Sequence, residues 1–129
     1  MMRPSVGFAA VDLLERAGFG IEVPARQTCC AQPAWNSGDL GSARPVARQV
    51  IEEFEKFDYV VIPSGSCAGM IRTHYEELFG DDLSWQRRAR DLASRTWELT
   101  SFLDEVADIS LPDRSSPPVR VAYHDSCSG

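Results

Sequence analysis

Four cysteines carry most of the chemistry available to this chain: the adjacent pair Cys29 and Cys30, then Cys67 and Cys127. Adjacent cysteines rarely bond each other, because the eight-membered ring so formed strains the peptide between them. Two thiols fixed side by side usually face something else. In a chain with no secretory signal, that is most often a metal or a redox reaction. Thiolates are soft, strong donors that suit zinc or an iron–sulfur cluster. The spacing lacks the paired C-x-x-C knuckles of a zinc ribbon, so a metal site would have to be gathered from distant loops. A second chemistry competes at Gly65-Ser66-Cys67-Ala68-Gly69. This is the G-x-C-x-G spacing of a nucleophile elbow, with Cys67 as nucleophile and His74 or His124 as base. It leaves the double cysteine unexplained and ranks second.

The residues around the thiols sharpen the metal reading. Pro33 removes a backbone donor and Asn36-Ser37-Gly38 is turn chemistry, so Cys29 and Cys30 are expected in an irregular loop. Trp35 belongs to that loop and would shield a cluster or a partner surface from water. Cys67 is expected to begin a helix after Ser64-Gly65-Ser66, where free amides and the positive helix end favour a thiolate. Asn36, Ser64, Ser66 and His124 are candidates for supporting the ligands. His124 would ligate, relay a proton or bond a carbonyl. His74 is expected at the surface or packing a helix. Glu52, Glu53 and Glu55 read as a solvated helix face, and Trp85 and Trp97 as packing for a long helix.

The elements that must position these groups follow from periodicity. Val6, Ala9, Ala10, Leu13, Leu14 and Ala17 recur at three and four, predicting a helix capped by Ser5 and ended by Gly18. Residues 19–23 read as a short strand closed by Pro24. A helix is expected over 43–57, capped by Asp39 or Ser42, with Val46, Val50, Ile51 and Phe54 on one face. The β-branched run at 58–62 suits a strand of a parallel sheet. Helices are predicted from Cys67 to about residue 78 and over 84–106, the latter with a possible break at Thr100-Ser101. A loop at 113–118 leads to a last strand at 119–123. The alternation αβαβααβ predicts an α/β fold, a mostly parallel sheet flanked by helices. Every cysteine then follows a predicted strand, which places all of them at the carboxyl rim where ligands gather. The leading strand of the first βαβ unit is missing, as if the chain began one element late.

A length of 129 residues suits one domain with a single modest core. A net charge of −6 argues against a nucleic-acid surface. No apolar run approaches the roughly 20 residues needed to cross a bilayer. Cytoplasm is the expected location.

With these residues laid out, the chain resembles the cysteine-rich CCG-domain proteins, and within them the lactate utilization protein A group, also described as glycolate-oxidase-type iron–sulfur subunits. The likeness is carried by Gln27-Thr28-Cys29-Cys30-Ala31-Gln32-Pro33-Ala34-Trp35-Asn36-Ser37-Gly38, by Pro63-Ser64-Gly65-Ser66-Cys67, by Thr96-Trp97-Glu98-Leu99-Thr100-Ser101-Phe102-Leu103 and by Tyr123-His124-Asp125-Ser126-Cys127. The family is related to the B subunit of heterodisulfide reductases, in which two such repeats hold iron–sulfur clusters; some relatives hold zinc in one repeat. The resemblance implies a cluster, of 4Fe-4S type, on Cys29, Cys30 and Cys67, with zinc as the alternative and a metal-free state possible in a shortened form. It implies electron transfer in a multi-subunit system oxidising L-lactate or glycolate, with a ferredoxin-like iron–sulfur subunit and a third small subunit as partners. A zinc-binding structural subunit is the alternative to that role. Three departures stand out. Ala31 replaces a frequent glycine, Ser64-Gly65-Ser66-Cys67 replaces a C-x-x-C, and the family's first strand and its cysteine are absent. The chain thus reads as a first repeat, 1–129, shortened at its start and ending as a second begins. Cys127 would be the counterpart of the absent cysteine. Such a form would expose a sheet edge and tend to dimerise.

Overall fold

Helix α1 spans Pro4–Arg16. It starts slightly earlier than its sequence pattern predicts and takes Ser5 inside the helix. Its end falls where expected. Gly18 adopts φ +89°, Phe19 N–H donates to the Leu14 carbonyl at 3.1 Å, and Gly18 N–H to that of Glu15 at 2.9 Å. These are the paired bonds of a Schellman turn, which needs a left-handed residue. Ala10 and Leu14 are buried, whereas Val6 and Phe8 face outward. The computed structural model that shows this describes residues 4–80, 82–107 and 109.

The strand expected at 19–23 is not formed. Apolar, β-branched residues favour a strand only when a neighbour completes the hydrogen-bond ladder, and no described segment pairs with this one. The double-cysteine loop contains a short helix, α2 (Gln32–Asn36), entered through Pro33. Helix α3 (Leu40–Phe54) is capped by Asp39, whose carboxylate accepts the Ser42 amide at 3.0 Å. It buries Ala43, Ala47, Val50 and Ile51.

Strand β1 (Val60–Ile62) is shorter than predicted. A continuous helical stretch then begins after Ser64, whose side chain makes no capping bond: α4 (Gly65–Gly69), a π-helical segment (Met70–His74) and α5 (Tyr75–Leu78). The single helix predicted over 84–106 is a helix, a strand and a second helix: α6 (Leu83–Arg95), β2 (Thr96–Glu98) and α7 (Leu99–Glu105). β-branched Thr96 and aromatic Trp97 suit extended backbone. The Glu98 carboxylate then accepts the amides of Thr100 at 2.8 Å and Ser101 at 3.3 Å, starting a new helix. The break therefore falls at 96–98, and Thr100-Ser101 form the first turn of α7.

β1 and β2 pair in parallel, Val60 opposite Thr96, Val61 opposite Trp97 and Ile62 opposite Glu98. The fold is α/β, as the alternation predicts, with a two-stranded parallel sheet among the described residues. The core joins α3, β1, the Gly65–Leu78 helical stretch and α6. Ile51, Met70, Tyr75, Leu78, Phe79 and Leu92 are its largest members. The strand expected at 119–123 lies outside the described residues.

Two carboxylates give the fold an acid-sensitive edge. Hydrogen bonds from the Ser42 side chain and amide hold Asp39 below its usual range. A paired contact with Arg90 does the same for Glu76. A carboxylate lowered on folding stabilises above its unfolded pKa, and that contribution is lost as pH falls through the folded value. The melting temperature is therefore expected to hold from neutral pH to about 5 and to fall below about 4. The fall should be modest because both groups are exposed. Thermal melts of the wild type and of Asp39→Asn/Glu76→Gln check this. The double variant should start lower at neutral pH and lose less in acid.

Candidate metal centre

The cysteine loop is held in place from its backbone. Ala31, immediately after Cys30, takes φ +67° and ψ 2°, a left-handed conformation, and is buried. Its carbonyl accepts the Trp35 amide at 3.0 Å, closing the turn into α2. Tyr75, fully buried on α5, donates its hydroxyl to the Cys30 carbonyl at 3.1 Å. One helical stretch thus supplies both Cys67, in its first turn, and the phenol that anchors the facing loop. Removing that hydroxyl leaves a buried carbonyl without a donor, so Tyr75→Phe should cost about 1–3 kcal/mol of stability. Urea unfolding of the two proteins measures it.

Cys29, Cys30 and Cys67 all line one cavity of about 410 Å³ between α1, α3, β1 and the loop. Cys29 is exposed, Cys30 buried and Cys67 intermediate. Burial, followed by the influence of the neighbouring Cys67 side chain, pushes the Cys30 thiol up to about 12. Without a cation beside it, Cys30 stays a protonated thiol at neutral pH. Tyr75 is raised too, by burial first and then by the neighbouring cysteines, so it remains a phenol and a donor.

The donor set fits a soft metal group in its chemistry, with three thiols lining one cavity. It does not wrap a single ion. Among the described residues, no group of three or more His, Cys, Asp or Glu side chains is placed to hold one. A fourth predicted ligand, Cys127, and its neighbour His124 lie outside the described residues.

The remaining candidates fall into two groups. Trp35 lies in the loop and stacks on His74, ring centroids 5.0 Å apart at 26°. Asn36 is exposed at the end of α2. Ser64 and Ser66 stand at the start of α4 with their hydroxyls 3.3 Å from each other. The nucleophile reading finds its strand–turn–helix context around Cys67, yet His74 is stacked on Trp35. Nδ1 of His74 is out of solvent and has no hydrogen-bond partner. Sequence reasoning missed Tyr75 and the left-handed Ala31. The first lies two turns past Cys67 on one helix, a spacing that repeats a helix face. The second is signalled only by a residue type that resists that conformation, which is no signal at all.

Comparison with known proteins places this arrangement. The family described as "CCG: Cysteine-rich domain" matches residues 1–72. "Lactate utilization protein A" of Halalkalibacterium halodurans is 46% identical over 124 residues, covering 96% of this chain and 50% of that protein. The protein of the same name from Geobacillus thermodenitrificans is 46% identical over 123 residues, covering 95% and 51%. "Lactate utilization protein A 1" of Bacillus cereus is 42% identical over 127 residues, covering 98% and 52%. The chain spans about half the length of the curated relatives it matches. No solved structure matches. With its double cysteine, its loop and the helix bearing Cys67 all inside the matched span, the chain belongs to the CCG cysteine-rich domain family.

Proposed function

We propose that this chain is an iron–sulfur component of a multi-subunit system that oxidises L-lactate to pyruvate, acting in electron transfer. The observation that carries the reading is that Cys29, Cys30 and Cys67 all line one cavity, with Cys67 close enough to raise the Cys30 thiol. The names of its relatives supply lactate. Cys29, Cys30 and Cys67 are the ligands proposed within the described residues, and Cys127 is the fourth. An iron–sulfur group supplies one-electron transfer when bound. The chain's part is to hold and shelter it. Tyr75 fixes the peptide between Cys30 and Ala31, while Val50, Val60 and Ile71 give the cavity an apolar lining, and an apolar surrounding shifts a cluster's potential. The proposed partners are a ferredoxin-like iron–sulfur subunit that takes the electrons and a third small subunit. The proposed location is the cytoplasm.

Anaerobic purification with iron, sulfide and zinc analysis tests the cofactor. Comparable amounts of iron and acid-labile sulfide, with broad visible absorption, support the proposal. One equivalent of zinc in a colourless protein would replace it with a structural zinc module. Bleaching of the visible band by L-lactate, when the partner subunits are present, tests the electron-transfer role.

A further inference from the structure

Three residues of one helical stretch meet the cysteine loop: Cys67, His74 and Tyr75. Cys67 lines the cavity together with Cys29 and Cys30. Tyr75 donates its hydroxyl to the Cys30 carbonyl at 3.1 Å. His74 stacks on Trp35, ring centroids 5.0 Å apart. A regular α-helix would not bring Cys67 and Tyr75 to one side. Residues four apart share a face only loosely, and over the eight residues from Cys67 to Tyr75 the drift reaches about 80° around the axis. Between the two lies the π-helical segment Met70–His74. Its i→i+5 bonding spends one residue more on a turn, so eight residues complete two turns to within about 20°. His74, where the segment ends, takes φ −108° and ψ −16°, well away from the regular helical values of about −63° and −42°. Tyr75 returns to them at φ −65° and ψ −39°.

We propose that the π-helical segment Met70–His74 is a positioning device for the metal centre: its extra residue turns Tyr75 onto the side of the helix that carries Cys67, so that thiol and hydroxyl close on the Cys29–Cys30 loop together. The proposal rests on the reading of Cys29, Cys30 and Cys67 as ligands. Tyr75 is then a positioning residue, because it touches the backbone of a ligand and not the metal group.

Ile71, midway between Cys67 and Tyr75, is buried and lines the same cavity, which marks one continuous face at 67, 71 and 75. Tyr75 is fully buried on that face. Burial raises its phenol most, and Cys30, Cys29 and Cys67 raise it further, so all three thiols lie within electrostatic reach. His74 holds its place at a cost to itself. Its Nδ1 is out of solvent with no hydrogen-bond partner among the described residues. The Glu77 carboxylate stands 3.9 Å away, beyond hydrogen-bond distance. The backbone, rather than a polar partner, therefore sets the ring against Trp35. Trp35 N–H in turn bonds the Ala31 carbonyl at 3.0 Å, so the stack steadies the far side of the same loop.

Metal retention after anaerobic loading with iron and sulfide, titrated against a chelator, tests the positioning role. Tyr75→Phe should retain metal about tenfold less well, the lower end of the loss when a ligand's support is removed, whereas Cys67→Ala loses about a hundredfold. Moving the hydroxyl one residue earlier separates the π turn from a regular helix. Position 74 is the one a regular helix would place in line with Cys67, so His74→Tyr/Tyr75→Phe should retain no more metal than Tyr75→Phe. Rescue by the moved hydroxyl overturns the proposal. So does wild-type retention in Tyr75→Phe. If Cys67→Ala still loses metal, the ligand assignment survives that result, and if Cys67→Ala retains it too, both fall. Because a buried tyrosine also matters to folding, the metal-free full chain is followed by hydrogen exchange and peptide mass spectrometry. His74 is only half-buried, and His74→Ala should speed exchange over 32–36 about tenfold while leaving 83–95 unchanged. Equal exchange over 32–36 in the two proteins overturns the hold of the π segment on the loop.

Discussion

Ala31→Val should destabilise the protein by about 3 kcal/mol, the largest stability loss expected from any single substitution in the cysteine loop. Ala31 sits at φ +67° and is 3% exposed. The left-handed conformation already costs a non-glycine residue about 1–2 kcal/mol, and a β-branched side chain makes it a true outlier. The two extra methyl groups must also enter a packed site, which adds about 1–3 kcal/mol. Ala31→Gly should be close to neutral. It relieves the strain but loses about 0.8 kcal/mol for the buried methyl, and adds unfolded-state entropy worth about 0.4–1 kcal/mol. Equilibrium unfolding in urea of the three proteins separates these outcomes. The result bears on function because the strained residue sets the direction of the chain immediately after the double cysteine.

Cys67→Ala should lower metal retention on the order of a hundredfold while leaving the fold in place. Losing a group that merely supports a ligand costs 10–100-fold in affinity, so losing a proposed ligand should reach the top of that range or pass it. The side chain is only partly buried and lies in the first turn of a helical stretch that the core holds through Met70, Ile71 and Tyr75. Alanine is a good helix former, so circular dichroism should be nearly unchanged. Metal content after anaerobic loading, titrated against a chelator, gives the number. Unchanged retention in Cys67→Ala would free that thiol for the nucleophile role.

The sequence carried some of this architecture plainly and other parts not at all. Helix ends were readable because their signals are local: Gly18 supplies the left-handed residue of the Schellman turn and Asp39 the cap of α3. β1 was readable from its β-branched run. β2 was hidden because Thr96-Trp97-Glu98 lies between two helical stretches whose apolar spacing continues across it. Its partner, β1, lies more than thirty residues earlier, and a parallel strand is specified by such a distant neighbour rather than by its own residues. The 19–23 stretch shows the converse, strand-forming residues without a described partner. At the candidate site, Cys67 does follow β1, as the rule that ligand loops gather at the carboxyl rim of a parallel sheet requires, but Cys29 and Cys30 follow no strand among the described residues, so their place on the same cavity did not come from that rule. The hydroxyl of Tyr75 on the Cys30 carbonyl was not, since a buried polar contact across forty-five residues leaves no periodic trace.

The central claim is that Cys29, Cys30 and Cys67 serve one centre, and residue-resolved alkylation tests it most directly. The protein is loaded with metal anaerobically, labelled, and compared by peptide mass spectrometry with the same protein after chelation. Cys30 should label slowly in both states, since burial and Cys67 hold its thiol protonated, so Cys29 and Cys67 carry the readout. The account predicts that both are protected in the loaded protein and become reactive together as metal is withdrawn. Labelling of either one at the same rate with and without metal would contradict it.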